Sequence, residues 1–183
     1  HRRGLSVRGR WLVVAGEPSG DRTLAAVVRA ASARAIGIGG DALAEAGVEL
    51  VAHVRDLSGM GLFELGGRAP AIARAAGTLL ARIRRSPPAR AVLCSWSSGN
   101  ARLGAYLRAR GVPVTWISPP EVWAFRAGRL PRLARAADRF VVTLPFEPPL
   151  WRAHGADAHY VGHPCLDVPV PAAPVRRGAI AVL

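Results

Sequence analysis

Short apolar runs alternate along the chain with longer segments that are apolar on one side only. The apolar runs predict buried strands at residues 11–15, 35–38, 89–94, 112–117, 139–143 and 159–161. Helices are predicted for about a dozen residues from Asp21, and at 69–85, 101–110, 128–137 and 147–154. The segment 69–85 has the clearest helical period, since one face carries Ile72, Ala76, Leu79, Leu80 and Ile83.

This alternation is typical of one fold class. Strands that are apolar throughout are buried on both faces, and successive parallel strands need a crossover that is usually a helix. We therefore predict an α/β fold with a doubly wound, Rossmann-like parallel sheet. Ligands bind such sheets at the carboxyl ends of the strands, so we expect the chemistry in the turns that follow the strands.

A proline-rich stretch ends the pattern. Residues 164–177 contain Pro164, Pro169, Pro171 and Pro174, which predicts a semi-rigid linker without regular structure. The apolar run 178–183 after it has the pattern of a strand that begins another domain. The expected organisation is one domain over 1–163, a linker over 164–177, and at 178–183 the start of a second, truncated domain.

Composition narrows the class of protein. The chain has 183 residues, of which 50% are hydrophobic, enough for one well-buried core. It contains no uncharged apolar run of about 18 residues that would cross a bilayer, and no signal-peptide pattern. Cys94 and Cys165 lack metal-ligand spacing, so we expect a reducing, cytoplasmic setting.

The net charge of +13 is the excess of 25 basic residues over 12 acidic ones. All the basic residues are arginine, in a chain rich in Ala, Gly and Pro. That bias is typical of a GC-rich coding sequence, and the arginines are spread over many predicted helices. No RNP, zinc-finger or helix-turn-helix pattern accompanies them, so we expect no nucleic-acid partner. A phosphorylated lipid or an anionic membrane surface fits the charge as well as a nucleic acid does. A basic nucleic-acid-binding domain is therefore kept only as a third hypothesis, behind the two functions given below.

Two glycine turns follow predicted strands. In the first, GEPSGD at 16–21, the glycines allow a tight turn and Ser19 can cap the next helix. Amide groups of such a turn can receive a phosphate or sugar hydroxyls, although the turn is neither a Walker A loop nor GxGxxG. An ordinary capped turn is the alternative interpretation, and it applies equally to the second turn, IGGD at 38–41.

Two later segments combine aromatic and charged side chains. Residues 56–65, DLSGMGLFEL, place Met60 in a glycine-rich apolar stretch that is either core packing or a lip for an acyl chain. In 117–129, Ser118 follows a strand, and Trp123 precedes Arg126 and Arg129. Such a pairing can hold a sugar or phosphate, or the tryptophan can simply anchor a helix.

Glu147 and His163 complete the candidate residues. Glu147 ends the motif LPFE, and His163 lies in VGHP beside the predicted linker. A histidine in such a place is more often structural than catalytic, but an interdomain cleft is expected next to the linker.

Taken in order, these segments resemble the signature series of lipid-A-disaccharide synthases. The series GEPSGD, GIGG, MGLFEL, SPPEVWAFR, LPFE and VGHP, followed by Asp167, covers roughly residues 13–167. The resemblance implies a GT-B glycosyltransferase of lipid A biosynthesis, in which two Rossmann-like domains face a cleft and this chain is the acceptor half. The donor half of the family begins with a strand leading to Leu-Pro-Gly-Ser-Arg, and the run 178–183 ends before that motif.

The implied reaction transfers 2,3-diacylglucosamine from its UDP conjugate to the 6-hydroxyl of 2,3-diacylglucosamine 1-phosphate. It releases UDP with inversion and needs no metal or other cofactor. The residues assigned to the substrates are Gly16, Glu17, Ser19, Gly20, Asp21, Met60, Asn100, Ser118, Trp123, Arg126, Glu147 and His163. The alternative function is a non-catalytic module of the same fold that binds an acyl sugar or a phospholipid.

The general base is left open. Family members carry IDAPDFN after the middle strand, and alignment on Asn100 places Ser95 at the first aspartate. A neutral serine cannot accept the proton without a partner, so Asp21, Glu17 and His163 are the candidates.

The expected partners are the two acylated substrates, UDP-diacylglucosamine and diacylglucosamine 1-phosphate, and an anionic membrane surface. A basic face with an apolar lip would lie peripherally on the cytoplasmic side of the inner membrane. A separate donor-domain chain or a second copy of this chain is a further possible partner.

Overall fold

A computed structural model describes residues 9–57, 62–124 and 126–167, apart from the side chains of 57, 62–69 and 71. Its strands are β1 (Trp11–Ala15), β2 (Ala35–Gly39), β3 (Glu49–His53), β4 (Arg90–Cys94), β5 (Val114–Ile117), β6 (Arg139–Val142) and β7 (Ala158–Tyr160). Its α-helices are α1 (Pro18–Ala31), α2 (Asp41–Glu45), α3 (Val54–Leu57), α4 (Leu62–Arg85), α5 (Ser97–Arg108), α6 (Leu130–Leu133) and α7 (Glu147–Arg152). Short 3₁₀ turns lie at Ala127–Arg129 and Pro164–Asp167.

The strands form one sheet in the order β3-β2-β1-β4-β5-β6-β7, and every pairing is parallel. The chain builds outward from β1 to β3, returns to place β4 beside β1, and then builds in the opposite direction to β7. The boundary between β1 and β4 is therefore the topological switch point of a doubly wound sheet. This confirms the predicted fold class.

The two faces of the sheet carry separate hydrophobic cores. On β1, Leu12 and Val14 belong to a core that includes residues of α4, α5, α6 and α7. Val13 belongs to the other core, together with Leu24 of α1 and Leu43 of α2. Because successive side chains of a strand point to opposite faces, an apolar run without polar interruption is what a sheet covered on both sides requires.

The six predicted strands are confirmed, with ends that differ by at most two residues. The strand β3 was not predicted. Among the described strands it pairs with β2 alone, and its residues are exposed or only partly buried, so its sequence lacks a fully apolar run. A strand at the edge of a sheet gives a weaker hydrophobic signal for this reason.

The predicted helix ends need several corrections. The helix α1 begins at Pro18, so Ser19 lies inside it and does not cap it; Glu17 occupies the capping position and makes no side-chain cap hydrogen bond. Proline is suited to the first turn of a helix because its missing amide hydrogen has no intrahelical acceptor there. The helix α5 begins at Ser97, four residues before the predicted start.

The helix α4 is longer than predicted, since it begins at Leu62 and contains Pro70. Leu79 and Ile83 are buried as expected, but Ala75 is the buried alanine and Ala76 is exposed. The face that packs on the sheet is therefore rotated from the predicted one by one residue at this turn.

Three further predictions are corrected, and other predicted features lie outside the described residues. The predicted helix at 128–137 is a 3₁₀ turn followed by the single-turn helix α6, and α7 ends at Arg152. The segment expected to lack regular structure begins with the 3₁₀ turn Pro164–Asp167. Met60, Phe125 and residues 168–183 are not among the described residues. Of the helices in the described ranges, none has the length and apolar character to cross a bilayer.

Candidate functional site

The turns after β1 and β4 meet at the switch point. The amide of Gly16 donates to the carbonyl oxygen of Cys94 over 3.2 Å. A Cβ atom on Gly16 would lie 2.2 Å from Cβ of Trp96 and 2.8 Å from its backbone nitrogen, so a side chain cannot fit. The predicted need for glycine in this turn is thus explained by the close approach of a second turn.

A carboxylate and two hydroxyls meet at this junction. The hydroxyl of Ser19 donates to Oε1 of Glu17 over 2.7 Å, and the hydroxyl of Ser95 donates to the same oxygen over 3.0 Å. Glu17 is exposed to solvent. The structure therefore brings together two of the residues assigned to substrate binding and the serine at the expected aspartate position.

The backbone after β4 and β5 is held in an unusual conformation. Ser95, Trp96 and Ser118 have φ of 55°, 39° and 49°, in the left-handed region. Each costs about 1–3 kcal/mol in a residue other than glycine, and such residues cluster where a site needs a fixed geometry. This strain lies next to the switch point.

Cys94 lies beneath these turns and is buried. Burial raises the pKa of its thiol to about 11, although hydrogen bonds with the hydroxyls of Ser95 and Ser118 act in the opposite direction. A thiol this weakly acidic is almost wholly protonated at neutral pH, so Cys94 is not a nucleophile. Its contacts with both hydroxyls place Ser118 beside Ser95.

Asn100 fixes the turn between β4 and α5. It is fully buried, and its Nδ2 donates to the carbonyl oxygens of Cys94 at 3.0 Å and Ser95 at 2.9 Å. Its Oδ1 is also buried, and no group in the described part of the chain donates to it. These contacts give Asn100 a role in holding Ser95 in position, whereas its assignment to substrate contact remains a prediction.

Asp21 is directed toward the neighbouring turn after β2. It is 5% exposed, and its Oδ1 accepts from the amide of Gly40 over 2.6 Å and that of Leu43 over 3.3 Å. Its Oδ2 accepts from the amide of Ala42 over 3.0 Å. The carboxylate thus binds the amino end of α2, where negative charge is favourable, and it joins the two glycine turns that the sequence singled out.

Glu147 positions an aromatic pair at the ends of β5 and β6. It is 1% exposed; its Oε2 accepts from the amides of Thr143 and Leu144 over 3.1 and 2.9 Å, and its Oε1 accepts from Nε1 of Trp123 over 3.2 Å. The indole of Trp123 meets the ring of Phe146 edge to face, with centroids 5.0 Å apart. Both rings are exposed, by 40% and 49%, so they present an apolar surface at the carboxyl edge.

Arg126 and His163 are more distant from the switch point. Arg126 is exposed and has φ of 60°, at the start of a 3₁₀ turn. His163 follows β7, and its Nδ1 accepts from the amide of Cys165 over 3.1 Å. The strand β7 is three strands from β4, and neighbouring strands are ~4.8 Å apart, so the ends of these two strands are separated by roughly 14 Å along the sheet.

A charged cluster after β2 and β3 was not predicted from the sequence. His53 Nδ1 accepts from the amide and Nε of Arg55 over 3.2 and 3.0 Å, so its Nε2 carries the hydrogen and donates to Asp41 over 3.1 Å. The hydrogen bond from His53, with the charge of Arg55, holds the pKa of the Asp41 carboxyl below its usual value. No local sequence pattern indicated this cluster, because it joins Asp41 to residues at the end of β3, a strand that was not predicted.

A small pocket lies at the opposite edge of the sheet, between β1 and the end of α4. Leu12 and Leu79 line it, together with Arg10 and Arg82. Both arginines pair with Glu49, over 3.3 and 3.0 Å, so their charges are engaged in the fold. The carboxyl edge remains the better candidate for function.

An all-parallel doubly wound sheet, with a carboxylate, hydroxyls and exposed aromatic rings along its carboxyl edge, defines a Rossmann-like ligand-binding domain. The family model described as lipid-A-disaccharide synthetase matches residues 11–179. The chain belongs to this family, and its fold is the one expected for the N-terminal half of a GT-B glycosyltransferase.

Individual relatives agree with this assignment. The chain is 40% identical over 165 residues to the lipid-A-disaccharide synthase of Syntrophotalea carbinolica, covering 86% of this chain and 42% of the relative. It is 40% identical over 168 residues to that of Myxococcus xanthus, covering 88% and 44%. For Anaeromyxobacter dehalogenans the identity is 39% over 168 residues, covering 89% and 44%. The chain therefore spans less than half the length of the curated relatives it matches.

Proposed function

We propose that this chain is the acceptor-binding half of a lipid A glycosyltransferase. The reaction would move 2,3-diacylglucosamine from its UDP conjugate to the 6-hydroxyl of 2,3-diacylglucosamine 1-phosphate, with inversion and release of UDP. The observation that carries the proposal is the carboxyl edge at the β1–β4 switch point, where Gly16, Glu17, Ser19 and Ser95 converge. Family membership supplies the substrate class.

The groups along this edge suit an acylated sugar phosphate. The exposed carboxylate of Glu17 can accept hydrogen bonds from sugar hydroxyls, and the exposed rings of Trp123 and Phe146 offer apolar area to the sugar ring or an acyl chain. Arg126 is exposed three residues after Trp123 and would pair with the phosphate. Two features support the proposal. The exposed polar and aromatic groups cluster at the carboxyl ends of the strands, and the side chains that position them, Asn100 and Glu147, are buried.

The acceptor phosphate provides a direct test with this chain. Calorimetric titration with a short-acyl diacylglucosamine 1-phosphate should show saturable binding of one acceptor per chain. Arg126→Ala should weaken that affinity at least ~10-fold, because a hydrogen bond to a charged group contributes about 1.5–3 kcal/mol. Arg126→Ala should leave the affinity for the dephosphorylated sugar unchanged.

The matched control is Arg132→Ala, which removes the same charge from an exposed position on α6. An equal loss in both variants would mean that the arginines act only through net charge. No saturable binding to the unsubstituted chain would reject the proposed function.

A non-catalytic module that binds an acyl sugar or phospholipid is the second candidate. The observation favouring it is Ser95, whose neutral hydroxyl stands where the resemblance places an aspartate. Release of UDP when UDP-diacylglucosamine and acceptor are added together identifies the transferase. Acceptor binding without such release favours the module, or an enzyme that needs a separate donor-domain chain or a second copy of this one.

A further inference from the structure

We infer that Glu17, oriented by Ser19 and Ser95, is the group that receives the proton of the attacking acceptor hydroxyl. The inference rests on the proposed function and assigns its general base. An inverting transfer needs a proton acceptor within hydrogen-bond reach of the acceptor oxygen. Ser95 cannot fill that role by itself, because its hydroxyl is neutral at pH 7.

The geometry around Glu17 suits a base. Both serine hydroxyls donate to Oε1, at 2.7 and 3.0 Å, and among the described residues none donates to Oε2. Two donors on one oxygen fix the orientation of the carboxylate, which leaves the lone pairs of Oε2 for a ligand hydroxyl. The carboxylate is exposed at the switch point, where a ligand of a doubly wound sheet is expected.

The buried carboxylates on this edge are committed to the fold. Asp21 accepts three backbone amides and is 5% exposed. Glu147 accepts two backbone amides and an indole, and is 1% exposed. Taking a proton would weaken these charge-assisted hydrogen bonds and would require the substrate to enter the protein interior.

The remaining candidates lie elsewhere. His163 follows β7, three strands from β4, and its Nδ1 already accepts an amide hydrogen. Asp41 accepts hydrogen bonds from His53 and Arg55 in the cluster after β2 and β3. Glu17 is the exposed carboxylate that the fold places between β1 and β4.

Ser95 has a positioning role in this arrangement. An aspartate at residue 95 would bring a second carboxylate close to that of Glu17, and two such charges repel each other. A serine there donates a hydrogen bond to Glu17 instead. Asn100 holds the Ser95 backbone, because its Nδ2 donates to the carbonyl oxygen of Ser95. Ser95 therefore orients the carboxylate of Glu17 and is not itself the proton acceptor.

In the proposed step, Glu17 takes the proton of the attacking hydroxyl. The acceptor oxygen forms a bond to the anomeric carbon of the donor sugar while its proton moves to Oε2 of Glu17. The bond between that carbon and the diphosphate oxygen breaks, and UDP leaves with the electron pair. Glu17 later returns the proton to water.

The test measures whether Glu17 contacts the attacking hydroxyl. The chain is titrated by calorimetry with short-acyl diacylglucosamine 1-phosphate and with its 6-deoxy analogue, which lacks that hydroxyl. We expect the unsubstituted chain to bind the acceptor at least ~10-fold more tightly than the analogue, since the hydroxyl donates to a charged oxygen. In Glu17→Gln, which keeps size and shape, the ratio should fall to about threefold, the effect of a neutral acceptor.

Two variants complete the design. Ser95→Ala should lower the ratio partly, because the carboxylate loses one of its two donors, and Glu45→Gln, an exposed carboxylate on α2, should keep the full ratio. A Glu17→Gln variant that binds the acceptor and keeps the full ratio would overturn the inference while leaving the proposed function standing. Failure of the unsubstituted chain to bind either sugar would instead reject the proposed function.

Discussion

Gly16 shows how one residue controls the geometry of the candidate site. Its missing side chain lets the turn after β1 approach the backbone of Trp96. In Gly16→Ala the new Cβ would lie 2.2 Å from Cβ of Trp96, and the obstructing atoms include backbone. We expect a loss of about 1–3 kcal/mol in the free energy of unfolding, as for other overpacked positions, measured by urea denaturation followed by circular dichroism.

The control is Gly77→Ala. A Cβ on Gly77 meets nothing within 4 Å, and the residue is exposed in α4. Replacing a glycine inside a helix by alanine should raise the free energy of unfolding by about 0.5–1 kcal/mol. Equal midpoints for Gly16→Ala and the unsubstituted chain would contradict the close approach of the two turns.

For single residues, the sequence predicts which side chains belong to the candidate site better than it predicts their contacts. Glu17 and Ser19 were found because they occupy a glycine turn after a strand. The hydrogen bond from Ser95 to Glu17 joins residues 78 positions apart, so no local pattern encodes it. The predicted role of Ser19 as a cap was wrong because the helix begins at Pro18, three residues before the predicted start at Asp21. The hydroxyl of Ser19 donates to Glu17 instead.

Among the elements, α7 is attached to the ends of β5 and β6 through Glu147. Glu147→Gln keeps the shape but replaces one acceptor oxygen by an amide nitrogen, which would face either two backbone amides or the indole of Trp123. At least one buried donor then loses its acceptor. We expect a loss of about 1–3 kcal/mol in the free energy of unfolding, measured by urea denaturation, and a change in the near-ultraviolet circular dichroism of the Trp123–Phe146 pair.

Glu121→Gln is the matched control because Glu121 is exposed. Exposed substitutions of this kind usually change stability by no more than about 0.5 kcal/mol. If both variants were destabilised equally, the loss would reflect net charge and not the contacts of Glu147.

The elements themselves were predictable where burial is uniform. The strand β1 is apolar throughout, and β4 is apolar after Arg90, because both faces of the sheet are covered there. The edge strand β3 escaped prediction because its residues are exposed or only partly buried, which leaves a weak hydrophobic signal. The predicted helix at 128–137 is a 3₁₀ turn followed by the short helix α6.

The whole molecule combines a parallel sheet with a strongly basic composition. The alternation of strands and helices predicted the fold class, but only the strand order places the turns after β1 and β4 side by side. Many parallel arrangements share the same alternation, so the switch point could not be located from the sequence. The net charge of +13, in contrast, is a property of composition alone and bears on partners more than on fold.

That charge leads to a prediction about membranes. We expect the chain to float with vesicles of phosphatidylglycerol and phosphatidylcholine at 0.1 M salt, where the Debye length is about 10 Å. Arginines near an anionic surface contribute about 1 kcal/mol each, and the exposed rings of Trp123 and Phe146 can enter the interface. Vesicles of phosphatidylcholine alone should recover little protein, because they offer no anionic lipid.

Salt separates the two contributions. At 1 M salt the Debye length falls to about 3 Å, so flotation with the anionic vesicles should be lost if arginines provide most of the attraction. At 0.1 M salt, the double variant Trp123→Ala/Phe146→Ala should then float with the anionic vesicles with only modestly lower recovery than the unsubstituted chain. Equal recovery with neutral and anionic vesicles would contradict a charge-driven association, and no recovery with either would reject the peripheral location proposed for this chain.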